Sequence, residues 1–380
     1  MSESIVSELR CSEEGGAWRI SASVTLGGKR HDIWYRVSAG PIADGPNSLF
    51  AAALIPAMRF GTPLRIEGTV SSRLLKQAET IQDIIHVWYR DFQKIAVVSH
   101  GTTAGNGHST TAKGVGCFFS GGVDSFYSVL KHRDEITHLI FVHGFDLKLE
   151  DEPLRDRIAE KIRQVAKELG KPLLEVETNL RTFSDQYTDW GQHYYGSALA
   201  SVALLLSPLL QKVYIASDDT YAYLEPWGSG PLLTPLWSTE SVEISLDGCE
   251  ASRVEKVAKI VASETVLKSL RVCWKNLEGA YNCGRCEKCL RTMVSLRAVK
   301  ALERCQTFDR PLDLSLVAWL DTSDEKTTRV YTQESFEFVK RNGNDPELCE
   351  ALHDALTRLH YRGVSGWPRR AFKRLRRVLT

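Results

Sequence analysis

The sequence has almost no net charge: 48 Lys and Arg stand against 47 Asp and Glu. A chain with cancelling charges does not hold nucleic acid by bulk attraction. It also has no long hydrophobic run. The best, 197–206, stops at Ser207-Pro208, well short of the roughly 20 residues a membrane span needs. Its first residues hold no basic stretch followed by an apolar one, so no secretory signal is expected and a cytoplasmic location is. No internal repeat is visible. What remains is an ordinary globular composition, 43% apolar and 25% charged over 380 residues, enough for about two domains with a sizeable core.

Three segments are expected. Residues 1–112 read as a small α+β unit of unassigned role. Trp18, Ile20, Ala22, Val24 and Leu26 alternate with polar or small residues. Gly27-Gly28 then turns the chain into 33–37, the pattern of a β-hairpin. A strand is expected over 64–70. A helix follows from Ser71, where Leu74, Ala78, Ile81 and Ile85 recur at helical spacing. The stretch 101–113 is rich in Gly, Thr and Ser and reads as a linker.

Residues 113–308 change period. Short apolar runs at 116–119, 138–143, 173–178 and 212–217 alternate with helical patterns at 124 onward, 154–169 and 193–210. That alternation predicts an α/β fold, a parallel sheet with right-handed crossovers and helices on both faces. Residues 309–380 read as a helical extension. Its tail carries seven basic residues between Arg362 and Arg377, and Phe372, Leu375, Val378 and Leu379 give it a partial apolar face. It is a candidate contact for RNA, an acidic partner or a membrane surface, or a solvated helix packed on the domain.

One motif carries chemistry. Ser120-Gly121-Gly122-Val123-Asp124-Ser125 stands between an apolar strand and a helical stretch. Two glycines let backbone approach an anion, and helix N–H groups point at it. The Ser hydroxyls add donors, and Asp124 is a candidate magnesium ligand. The lysine of a Walker loop is missing, so this is a different phosphate loop.

The nine cysteines are unevenly spread. Cys273, Cys283, Cys286 and Cys289 fall within seventeen residues, with Gly284 at the tight turn. Four soft thiolates at this spacing suit a closed, structural tetrahedral zinc site, and they also suit an iron–sulfur cluster.

The loop resembles that of the PP-loop (N-type) ATP pyrophosphatases. With the cysteine set behind it, residues 114–300 resemble the QueC-type 7-cyano-7-deazaguanine synthases. The resemblance implies a HUP-type core with ATP, Mg2+ and Zn2+, and often a homodimer. It implies an AMP- and pyrophosphate-forming ligase that adenylates a carboxylate or amide oxygen of a small heterocycle. Nitrogen then gives an amide or nitrile. Asp124 and Ser125 are the expected catalytic residues. Ser120, Gly121, Gly122, Val123, Val142, His143 and Thr178 are the expected nucleotide contacts, with Phe141 and Asn179 nearby. Asp218 and Asp219 stand where such synthases carry a different substrate loop, and they are the acceptor candidates.

Other residues have open readings. Cys117 could relay sulfur, which would make the protein a PP-loop sulfurtransferase forming a thioamide or thionucleobase, or it is a small buried hydrophobe. Gly196 and Ser197 could admit nucleotide, or pack helix on sheet. The loop from Trp227 is a lid or a surface loop. His143 and His193 are candidate bases or structural. A non-catalytic nucleotide- or RNA-binding scaffold is the third class.

Overall fold

The computed structural model describes residues 3–103, 114–322, 326–343 and 345–358. The basic tail lies outside them. The strands are β1 (Ser4–Glu14), β2 (Ala17–Leu26), β3 (Lys29–Val37), β4 (Leu64–Ser71), β5 (Val97–Thr103), β6 (Gly114–Phe118), β7 (His138–His143), β8 (Leu173–Thr178), β9 (Leu210–Ala216) and β10 (Glu243–Asp247). They form one ten-stranded, mostly parallel sheet in the order β10-β9-β6-β7-β8-β3-β2-β1-β4-β5.

Helices α1 (Pro46–Phe60) and α2 (Ser72–Trp88) belong to the first part of the chain, and α3 (Val123–Lys131), α4 (Glu152–Glu168), α5 (Leu180–Ser184) and α6 (Tyr195–Leu205) to the middle. Next come α7 (Arg253–Ile260), α8 (Glu264–Ser269) and α9 (Glu287–Ala298). The last three are α10 (Leu314–Ala318), α11 (Lys326–Asn342) and α12 (Pro346–Thr357).

The Gly27-Gly28 hairpin is present, with Leu26 opposite Lys29. The sheet continues across residue 112. β3 pairs antiparallel with β8, setting Tyr35 opposite Thr178 and Val37 opposite Val176. Helix α1 is buried nearly all round and packs on α6. Small residues on both (Ala51, Ala52, Ala53; Ala198, Ala200, Ala203) allow the close approach, and Ser201 Oγ donates to Ser48 O at 2.8 Å across it. A core of residues from β2, β3, α1, β8 and α6 therefore joins the first hundred residues to the middle of the chain.

Within the five parallel strands, β6, β7 and β8 are laid down in one direction. The chain then returns to place β9 on the other side of β6. Crossovers leave to opposite faces at β6/β9, and their divergence opens a crevice at the carboxyl ends of those strands. The Ser120–Ser125 segment directly follows β6, at that point.

Candidate functional site

The loop after β6 is built for close approach. Gly121 adopts a left-handed φ of 76°, which a side chain would strain. The N-cap of α3 is Gly122, with no side-chain cap, so the first-turn N–H groups of the helix stay free. The backbone N–H of Arg271 donates to Gly121 O at 2.8 Å, tying the loop to the segment that leads into the cysteines.

A cavity of about 260 Å³ opens on this loop. Its floor is Ser120, Gly122, Val123, Asp124 and Ser125. The ends of β7 and β9 contribute Phe141, Val142, Ile215 and Ala216. Phe145, Trp190, Tyr195 and Trp227 form aromatic walls, and Arg253, Arg271 and Lys288 supply positive charge. Trp190 opens a single π-helical turn, Trp190–Tyr194, that runs into α6. Asp189 caps it by accepting from Gln192 N at 2.8 Å. Such turns recur at functional sites because they redirect side chains.

Asp124 is not an open metal ligand in this structure. Its Oδ2 accepts from Arg253 at 2.6 Å and its Oδ1 from Lys256 at 3.3 Å. Burial would raise its carboxyl, but Arg253, Lys256, Lys288 and Arg291 outweigh burial and hold it far below the usual range. Asp218 lines the cavity as well. Asp219 faces a neighbouring cavity of about 200 Å³ with Asp218, Glu225, Tyr331 and Glu334. Burial, then Asp218 and Glu225, push the Asp219 carboxyl up to about 7 against Lys256.

Two expected nucleotide contacts, His143 and Thr178, are not among the residues that line this cavity. His143 points away from the Val142 face, as alternate residues of a strand must. It is buried against Glu175 of β8, with Nε2 3.0 Å from the carboxylate. Arg163 donates to the same carboxylate at 2.7 Å. Thr178 is fully buried, stands opposite Tyr35 of β3, and its Oγ1 accepts from Leu180 N. Asn179 is spent on β3 too, accepting from Trp34 N and donating to Asp32 O. His193 stands against Tyr89 and Phe92.

The glycine of α6 serves packing. A Cβ on Gly196 would lie 1.9 Å from Gly228 O, so the Trp227-Gly228-Ser229-Gly230 loop sits directly on the helix. Ser197 is buried and donates to Tyr194 O. Cys117 is fully buried, does not line the cavity, and has its thiol pushed up by burial. Cys249, in a turn where exposure is a natural expectation, is also buried.

The four clustered cysteines do meet. Their sulfurs lie within 4.8 Å of one another. Cys273–Cys286 and Cys283–Cys289 are each 3.9 Å apart, far beyond a disulfide. A tetrahedral zinc with Zn–S of about 2.3 Å has edges of about 3.8 Å, so the set fits one such ion. Sulfurs this close leave no room for several irons between them. Backbone N–H groups of Asn276 and Cys286 donate to Cys273 and Cys283 Sγ at 3.3 Å each, as thiolates in a knuckle require. Cys286 caps α9, whose positive end favours thiolate. Asn282 ties the knuckle together, accepting from Val272 and Cys273 N and donating to Leu270 and Thr307 O. Cys273 and Trp274 also line the main cavity, so the cysteine cluster and the Ser120–Ser125 loop share a wall.

Arg253, Arg271, Lys288 and Trp190 escape sequence reading, whereas the loop from Trp227, read as a lid or a surface loop, does place Trp227 at the cavity. Ser252-x-x-Glu255 is a visible capping box that would have placed Arg253 at the start of a helix, but not at the cavity. Among the described residues, no helix is long and apolar enough to cross a membrane. No protein-family model matches the chain, and no curated protein or solved structure matches it significantly.

Proposed function

We propose that this chain is an AMP- and pyrophosphate-forming ATP-dependent ligase of the PP-loop, QueC-like kind. In this reading it activates a carboxylate or amide oxygen of a small heterocycle for nitrogen transfer. One observation carries the reading. The uncapped, glycine-flanked N-terminus of α3 faces an aromatic-walled cavity with three cations, at the point where the parallel sheet changes direction.

The loop N–H groups and Ser120 would hold the β- and γ-phosphates. Trp190, Phe145 and Trp227 offer faces for a purine. Magnesium arriving with ATP would screen phosphate charge, and Asp124, Asp146 and Asp218 are the carboxylates that line the cavity. Catalysis is positioning and charge stabilisation, with no covalent protein intermediate. Ammonium, a cation, suits the acidic neighbour cavity lined by Asp218, Asp219, Glu225 and Glu334. Cys117 is sealed from the cavity, which favours nitrogen over sulfur transfer.

The test is the nucleotide product. Protein is incubated with magnesium-ATP, ammonium and 7-carboxy-7-deazaguanine, and products are resolved by mass spectrometry. AMP with an amide or nitrile product is expected. AMP alone keeps the chemistry and rejects that acceptor; ADP rejects the reading. No nucleotide turnover together with no ATP binding leaves the basic tail to be tested for RNA.

The Asp219 environment has its own signature. Its carboxyl titrates near 7 when folded against 3.8 when exposed, so the folded state holds a proton that the unfolded state has lost between those values. Asp219 therefore costs increasing stability as pH rises from about 4 to 7, and the cost levels off above. Asp219→Asn is expected to melt higher than wild type, by a margin that is small at pH 4 and grows to pH 7.5. A margin independent of pH would refute the raised affinity.

A further inference from the structure

Arg253 is 3% exposed, yet its fork is only partly used. Nη1 donates to Asp124, while Nε and Nη2 are buried with no hydrogen-bond partner. The nearby Glu334 carboxylate accepts from the Arg253 backbone N–H at 3.4 Å, not from the fork. Buried guanidinium N–H groups left unpaired are costly, and the side chain lines the phosphate-loop cavity. The fork is also held in place. It lies over Tyr331, 5.8 Å from the ring centroid, with Arg291 at 4.1 Å from the same ring. Tyr331 is fixed by donating to Asp218 O at 3.0 Å.

We propose that Arg253 is a catalytic residue that takes up the charge of the departing pyrophosphate. This rests on the adenylating reading above. Asp124 is the second residue of α3, so the Arg253 fork lies over the first helical turn, where the loop N–H groups converge. A planar fork matches two phosphate oxygens. In the step, the acceptor oxygen attacks the α-phosphorus. The bond from that phosphorus to the α,β-bridging oxygen breaks, and its electron pair stays on pyrophosphate. No redox partner is needed. Charge grows on the leaving group beside the loop, where Arg253 lines the cavity wall. Lys256 still holds Asp124 meanwhile.

The test uses the full chain, with magnesium pyrophosphate and AMP as calorimetric probes. Arg253→Gln is expected to weaken pyrophosphate binding about 10²-fold, and Arg253→Lys at least about tenfold, for loss of the fork. AMP affinity should change less than about threefold. A merely structural arginine would weaken both ligands alike, and that result overturns the assignment, as does unchanged pyrophosphate binding. If Arg253→Gln fails to fold, the lysine variant, which keeps a cation beside Asp124, decides. Wild type that binds neither ATP nor pyrophosphate would bring down the ligase reading and this inference together. Wild type that binds, with indifferent variants, removes only Arg253.

Discussion

Cys286→Ser is expected to release the knuckle ion and loosen the chain from Leu270 to Thr307. Purified wild type should carry about one zinc per chain by elemental analysis. The variant should carry little, and should lose at least about 5 kcal/mol, since structural zinc sites bind with roughly 10–16 kcal/mol in small domains. The loss should reach the cavity as well. Arg271, Cys273 and Trp274 line it, and Arg271 N–H fastens the Gly121 loop. ATP affinity should therefore fall together with zinc content when a strong chelator strips the wild type. Iron in place of zinc would reject the metal assignment. Unchanged melting and unchanged ATP binding after complete stripping would reject the structural role.

Gly196→Ala is expected to destabilise the protein and to disturb the cavity. The new Cβ would meet backbone, at 1.9 Å from Gly228 O and 3.0 Å from Ser229 Cα. Neither side can yield easily. Helix α6 is buried along its length against α1. The loop is pinned by Gly228 N–H donating to Gly191 O at 3.1 Å, and by Tyr89 OH donating to Gln192 O and Pro226 O. Alanine gains about 1 kcal/mol of helix propensity over glycine. Backbone displacement of this size outweighs that, leaving a net loss of about 2–3 kcal/mol. Trp227 and Trp190 would move with the loop, so ATP affinity should fall at least about tenfold. Gly230→Ala is the control, because its Cβ would meet nothing within 4 Å. Equal stability and equal ATP affinity in the two variants would show that the loop does not shape the cavity.

The Tyr89 contacts also give the first hundred residues a physical part in the site. Tyr89 follows α2, and its hydroxyl bridges the two segments that carry the cavity tryptophans. Glu240, further along the chain, is held by Ser71 Oγ and Arg73 N at the start of α2. The early segment reads as unassigned in sequence because its contribution is made entirely through such distant contacts. Helix α1 is hidden for a different reason. Apolar on nearly every face, it shows no 3.6-residue alternation to betray it.

What the sequence determined alone is local. The glycine loop between strand and helix, the Gly27-Gly28 hairpin and the cysteine spacing all depend on neighbours a few residues apart, whose geometry is set by backbone freedom and ligand reach. Val142 faces the cavity and His143 does not, and nothing local decides which face of a two-sided buried strand meets a ligand. Tertiary structure decided the rest. β3 paired alongside β8, setting Tyr35 opposite the buried Thr178. The start of α7 brought Arg253 and Lys256 onto Asp124 from more than 120 residues away. Arg271 and Lys288 reached the same cavity only because the cysteine knuckle folds against it. Charges so far apart in the chain carry no mutual signal in sequence; their meeting follows from the crossovers of the sheet and the packing that fixes them.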